Sequence, residues 1–190
     1  MPVVDVKTDL DALSLTIVAD FAAPVQRVWE IYADPRQLER VWGPPEFPST
    51  FVDHDLRPGG RMNYYMSGPE GEKYCGYWRI AEVSEPDSFT FADGFADADF
   101  NPNPDLPESQ NAYSFTAHDG GTRATFVATY ATAEGLQTRA RHGHGRGRDL
   151  GDEPDRRAAG GLSADGWSPP PSPPPSLGDD RRAIVRRLPS

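Results

Sequence analysis

From Leu13 to Phe21 (LSLTIVADF) the chain alternates apolar and polar residues, the period of a strand that buries one face. Pro24 then opens a helix whose Val28, Ile31 and Tyr32 fall on one side with Trp29 beside them. Asp34-Pro35 interrupts it and starts a second short helix with Leu38, Val41 and Trp42 as its stripe, ended by Gly43-Pro44-Pro45. From Ser49 onward the period is two. Strands are expected over 49–55, 61–67, 73–83, 88–92, 112–117 and 123–130. Turn residues separate them, among them Arg57-Pro58-Gly59-Gly60, Gly68-Pro69-Glu70-Gly71, Pro86-Asp87 and Asp119-Gly120-Gly121. Thr132 is placed as the N-cap of a final helix beginning Ala133-Glu134. A sheet and helices that each carry one apolar face bury those faces against each other. The expected class is therefore α+β, a curved antiparallel sheet wrapped around a terminal helix with room for a cavity between them.

The pattern stops at Thr138. Beyond it come RARHGHGRGRDLGDEPDRRAAGG, then SPPPSPPPS, then an arginine-rich end, too poor in aliphatic side chains to offset the entropy of ordering a backbone. The division is a folded domain over 8–137 and an Arg/Gly/Pro-rich disordered tail over 138–190, with Pro169 to Pro175 suited to polyproline II. The tail also reads as an out-of-frame product. One extra base in a C-run at the Thr138 codon lets the same codons, synonymously chosen, spell TVLDMGMVEGATSAMNQIDGLLA. That string is an amphipathic helix of about six turns, which suits the end of a small α+β domain. Sequencing codons 136 to 142 decides between the two, and a codon series incompatible with the offset frame would sink the second.

Charge and cysteine content narrow the function classes. The chain has 190 residues and a formal net charge of -10, but ten of its 19 basic residues lie in the tail. A folded part this acidic repels phosphate backbones, so no nucleic acid is expected as a partner. Cys75 is the only cysteine, which excludes an intrachain disulfide and fits a reducing compartment. No cationic stretch precedes an apolar run at the N-terminus and no segment is long and apolar enough to span a bilayer, so the expected location is cytoplasmic.

Along the chain run, in order, Pro24-Val25-Gln26-Arg27-Val28-Trp29; Asp34-Pro35 with Leu38 and Val41-Trp42-Gly43-Pro44; Asp55-Leu56-Arg57-Pro58-Gly59-Gly60-Arg61; Gly68-Pro69-Glu70-Gly71; Gly76-Tyr77-Trp78-Arg79-Ile80; and Gly120-Gly121-Thr122. In that order these segments resemble the SRPBCC (START-like, helix-grip) superfamily, and within it the family similar to the activator of heat-shock-protein-ninety ATPase. The resemblance implies a helix-grip fold with two short helices after the first strand, a hydrophobic cavity and a long C-terminal helix. The printed tail lacks that helix, whereas the offset-frame string resembles it. The functions implied range from apolar small-molecule binding to co-chaperone action on a heat-shock-protein ATPase and polyketide cyclase or hydrolase chemistry, and fold alone does not choose among them.

Candidate site residues follow from the alternation. Trp42, Tyr64, Tyr74, Trp78, Phe89, Phe91, Tyr113, Phe115 and Phe126 fall on single faces of their strands or helix, where rings on a concave sheet would line a pocket and Tyr hydroxyls and Trp N–H groups would orient an apolar ligand. The competing reading of each is ordinary core. Asp53, Asp55, Asp93 and Glu82 supply candidate acids or bases for an enzyme, yet nothing in their spacing pairs them. No catalytic residue and no cofactor is assigned.

Asp97, Asp99, Asn101, Asn103, Asp105 and Glu108 have the spacing of an EF-hand loop. Pro102 stands where that loop needs glycine, so an acidic surface loop is preferred and no metal is expected. His142 and His144 are too few for a metal site, His54 and His118 are expected to be solvated at strand ends, and Cys75 is expected to be a buried, unreactive thiol. Without a terminal helix the sheet would expose its concave face, which makes a homodimer or aggregate a further expectation.

Overall fold

The computed structural model describes residues 3–137. They form one eight-stranded antiparallel sheet and two short helices: β1 (Val3–Asp9), β2 (Ser14–Phe21), α1 (Val25–Ala33), α2 (Pro35–Val41), β3 (Ser49–Asp53), β4 (Arg61–Ser67), β5 (Lys73–Ser84), β6 (Ser88–Phe95), β7 (Ser109–His118) and β8 (Gly121–Tyr130). The strand order is β1-β2-β8-β7-β6-β5-β4-β3. After β2 the chain crosses the sheet through α1 and α2 to the far edge. It then meanders back strand by strand until β8 pairs with β2, Ser14 opposite Thr129 and Phe21 opposite Thr122. The α+β class and the curved sheet with its helix pair are as expected.

The helices form where the sequence places them. Val28, Trp29 and Tyr32 are the buried side of α1. Asp34 caps α2, its Oδ1 accepting from the Arg36 N–H at 2.8 Å, with Pro35 in the first turn. Leu38 is the buried residue of α2, and Trp42, just beyond its end, enters the core. The β7–β8 turn is Asp119-Gly120, both with positive φ, 48° and 79°, which matches the twist of a two-residue hairpin. Thr132 receives the Gly135 N–H on its Oγ1 at 3.2 Å and caps a helical turn over 133–137, where Leu136 packs with Leu15 and Tyr130.

Three differences from the sequence reading matter. β1 is an additional strand, so the two helices follow the second strand rather than the first. β6 extends three residues further than expected, through Phe95, and β7 begins three residues earlier, at Ser109. Asp93, Ser109 and Asn111 are therefore sheet residues. The tail over 138–190 lies outside the described residues. Among the described residues, no helix is long and apolar enough to cross a membrane.

Candidate functional site

Register assigns the concave face. Tyr64 stands opposite Gly76, Trp78 opposite Asp93, Asp93 opposite Ser109, Phe89 opposite Tyr113 and Tyr113 opposite Phe126. Trp42, Tyr64, Trp78, Phe89, Phe91, Tyr113, Phe115 and Phe126 are buried in one cluster, and Tyr74 packs at its margin with its ring 5.9 Å from Phe47. The cluster has two ends. At one, α1 covers the sheet: Trp29 meets Phe89 edge-on at 5.8 Å and Tyr32 stacks on Phe115 at 5.4 Å. Burial of Tyr32 pushes its hydroxyl well above the usual phenol range. At the other, Trp42 and Trp78 pack edge-on at 4.6 Å, with Phe91 4.1 Å from Trp78 and Tyr64 5.8 Å from Trp42.

The second end carries the polar chemistry. Tyr64 Oη donates to Asp93 Oδ1 at 3.0 Å, and Asp93 is only 4% exposed. Tyr64 reaches it by lying across Gly76, where a Cβ would stand 2.5 Å from the ring. Ser109 and Asn111 are buried next on the same face, Asn111 Nδ2 donating to Ser109 Oγ at 3.0 Å. The indole N–H groups of Trp42 and Trp78 are buried and, among the described residues, have no hydrogen-bond partner. Leaving a buried donor unpaired costs about 1–3 kcal/mol, so two on adjoining rings is an arrangement that an acceptor atom would relieve.

Of the four carboxylates weighed as acid or base, only Asp93 is buried on this face. Asp53 accepts from Asn63 Nδ2 at 2.7 Å, Asp55 pairs with Arg57 at 2.6 Å, and Glu82 sits at the irregularity in β5. Sequence reasoning did not place Trp29, Tyr32, Ser109 or Asn111 in the site. The helical stripe of α1 was the available signal for the first two, and the spacing held none for the others.

The six acidic-loop residues do not converge. Asp97 Oδ1 accepts from the backbone of Asp99 and Asn101 at 2.9 and 2.8 Å, and its bonds from Asn101 hold its carboxyl below the usual range. Asn103 Oδ1 accepts from the Asp105 N–H at 3.0 Å. Glu108 points away to the outer face, accepting from Tyr77 Oη at 2.6 Å and pairing with Arg79. Burial, and then that bond, push the Tyr77 hydroxyl up to about 12. Among the described residues no three His, Cys, Asp or Glu side chains gather as a metal site.

His54 is not simply solvated, because its Nε2 bonds the Tyr32 carbonyl oxygen at 2.9 Å across to α1. His118 lies 3.2 Å from Asp119. Cys75 is half-buried rather than buried, and desolvation raises its thiol. His142 and His144 fall outside the described residues.

A sequence model of the family described as activator of Hsp90 ATPase homolog 1-like protein matches residues 22–150. A crystal structure of a Mycobacterium smegmatis protein is 70% identical, with a TM-score of 0.67, over 74% of this chain and 86% of that one. A solution structure from Arthrobacter aurescens is 43% identical, with a TM-score of 0.70, over 75% and 83%. A Silicibacter pomeroyi protein of the same description, 21% identical over 67% of this chain and 87% of that one with a TM-score of 0.56, shares the fold. No curated protein matches the chain.

Proposed function

Because the chain belongs to the activator of Hsp90 ATPase homolog 1-like family, we propose that it is a START-like binding domain whose concave aromatic face receives an apolar small molecule bearing a hydrogen-bond acceptor. The observation that carries this is the pair of buried, unpartnered indole N–H groups of Trp42 and Trp78 beside the Tyr64–Asp93 bond. A solid apolar core has no use for two such donors, whereas a carbonyl or ether oxygen placed there would take them up. The surrounding rings, Phe91 and Tyr113 among them, supply the apolar contact.

Native mass spectrometry of the full chain should find a co-purified lipophilic molecule. Titration with Nile red, a neutral apolar dye carrying a carbonyl, should saturate. Trp42→Phe keeps a ring and deletes the donor, and should weaken the dye about 3- to 10-fold. Absence of both a co-purified molecule and saturable dye binding refutes the reading.

Two alternatives each have one support. A cyclase or hydrolase would run its proton transfer through Asp93, the buried carboxylate of this face; Asp93→Asn would then abolish turnover while leaving binding. A co-chaperone role rests on the family's description. Stimulation of a chaperone ATPase by the purified chain would support it.

A further inference from the structure

We propose that β1 is a self-association edge, through which two copies of this chain join their sheets antiparallel about a two-fold axis at Val6. Among the described residues β1 is a terminal strand of the sheet, paired to β2. Its side chains are exposed, with Val3, Val4 and Val6 at 43%, 48% and 44%. An edge of backbone donors and acceptors flanked by valines is a template for another strand, and proteins normally guard such an edge with charged side chains, proline or bulges.

Here the charges do the reverse. A two-fold axis perpendicular to a continuous sheet pairs residues whose numbers share parity, because partners across an antiparallel ladder point to the same side. Centred on Val6, the register sets Val6 opposite Val6, Val4 opposite Thr8, and Asp5 opposite Lys7 twice. Moving the centre to Asp5 places Asp5 against Asp5. Moving it to Lys7 places Lys7 against Lys7 and Asp5 against Asp9. The Val6 register is the one that keeps the overlap of the strand while making every charged contact attractive.

Asp5 and Lys7 lie opposite Val18 and Thr16 of β2, on the outer face, while Val6 lies opposite Ile17 on the concave side. The charge pairs thus sit in solvent and the valines meet on the apolar side. The irregularity between Val3 and Asp5 bends the start of the strand and leaves the straight run through Asp5, Val6 and Lys7 at the centre of the contact.

The test is sedimentation of the full chain and three charge variants across a concentration series. Asp5→Lys places lysine opposite Lys7, and Lys7→Asp places aspartate opposite Asp5. Each alone should dimerise about tenfold or more weakly than wild type. Mixing the two variants pairs lysine with aspartate at both positions and should restore the dimer, as should the double exchange D5K/K7D within one chain. A wild type that stays monomeric overturns the proposal, and so does a dimer or larger species that persists unchanged in D5K. Failure of the mixture to associate, when wild type does, overturns the register.

Discussion

Replacing Gly76 with alanine tests whether the Tyr64 ring is held over the strand to reach Asp93. An added Cβ would stand 2.5 Å from Tyr64 Cζ and 2.6 Å from its Oη, about 1 Å inside ordinary contact. The ring has little room to retreat, since Phe51 lies 5.2 Å and Trp42 5.8 Å away centroid to centroid and the side chain is fully buried. Overpacking of this kind costs about 1–3 kcal/mol. A ring displaced far enough to clear the methyl also loses the 3.0 Å bond to Asp93, adding about 1–3 kcal/mol for a buried polar group left short of a partner. The expected loss is about 2–6 kcal/mol in urea unfolding followed by tryptophan fluorescence. In a Tyr64→Phe background the bond is already gone, so Gly76→Ala should cost less there by the hydrogen-bond part, and the difference measures the coupling. A Gly76→Ala protein within about 0.5 kcal/mol of wild type would refute the geometry, because no unstrained placement of the methyl exists beside that ring.

Other outcomes follow from the outer face and the loops. Tyr77 has its hydroxyl raised from 10.0 to about 12, so the folded state favours the protonated phenol: its stabilisation is complete below pH 10 and lost as pH rises to about 12. Tyr77→Phe should flatten the alkaline limb of an unfolding-versus-pH curve over that window. Asp20 is held below its ordinary value by the hydrogen bonds from Arg123, so its contribution is present above the usual carboxylate range and disappears as pH falls through the depressed value. Asp20→Asn should remove that part of the acid limb. Burial raises the Cys75 thiol, so alkylation by iodoacetamide at neutral pH should run slower than for a free cysteine thiol and recover in denaturant.

Most of the sheet was legible because its residues obey period two with aromatics inward. β4 falls on the expected bounds, and Trp78, Phe89, Phe91 and Phe115 are core-facing as their alternation requires. What escaped was the part that breaks the rule. Asp93, Ser109 and Asn111 turn polar side chains toward the interior, so the ends of β6 and β7 read as loop. Only pairing across the strands, Asp93 with Ser109 and Phe91 with Asn111, identifies them as sheet. β1 did carry a short alternation, Val4-Asp5-Val6-Lys7, but it buries neither face and so lacked the contrast by which a strand is recognised. The acidic loop carries a calcium-loop spacing in a different topology. Glu108 belongs to the outer face with Tyr77 and Arg79, where a linear count cannot see it.

The seam between β2 and β8 joins residues more than a hundred positions apart. A ribosome making this chain releases β2 and the helices long before their partner strand exists, and ladders of such sequence separation close slowly, in about milliseconds to seconds. During that interval the emerging polypeptide carries an unclosed wall of aromatic rings, the interval in which chaperone capture would have most to protect. The last strand of that seam ends at Tyr130, upstream of Thr138. A message altered at or after that codon therefore still encodes every strand the seam requires.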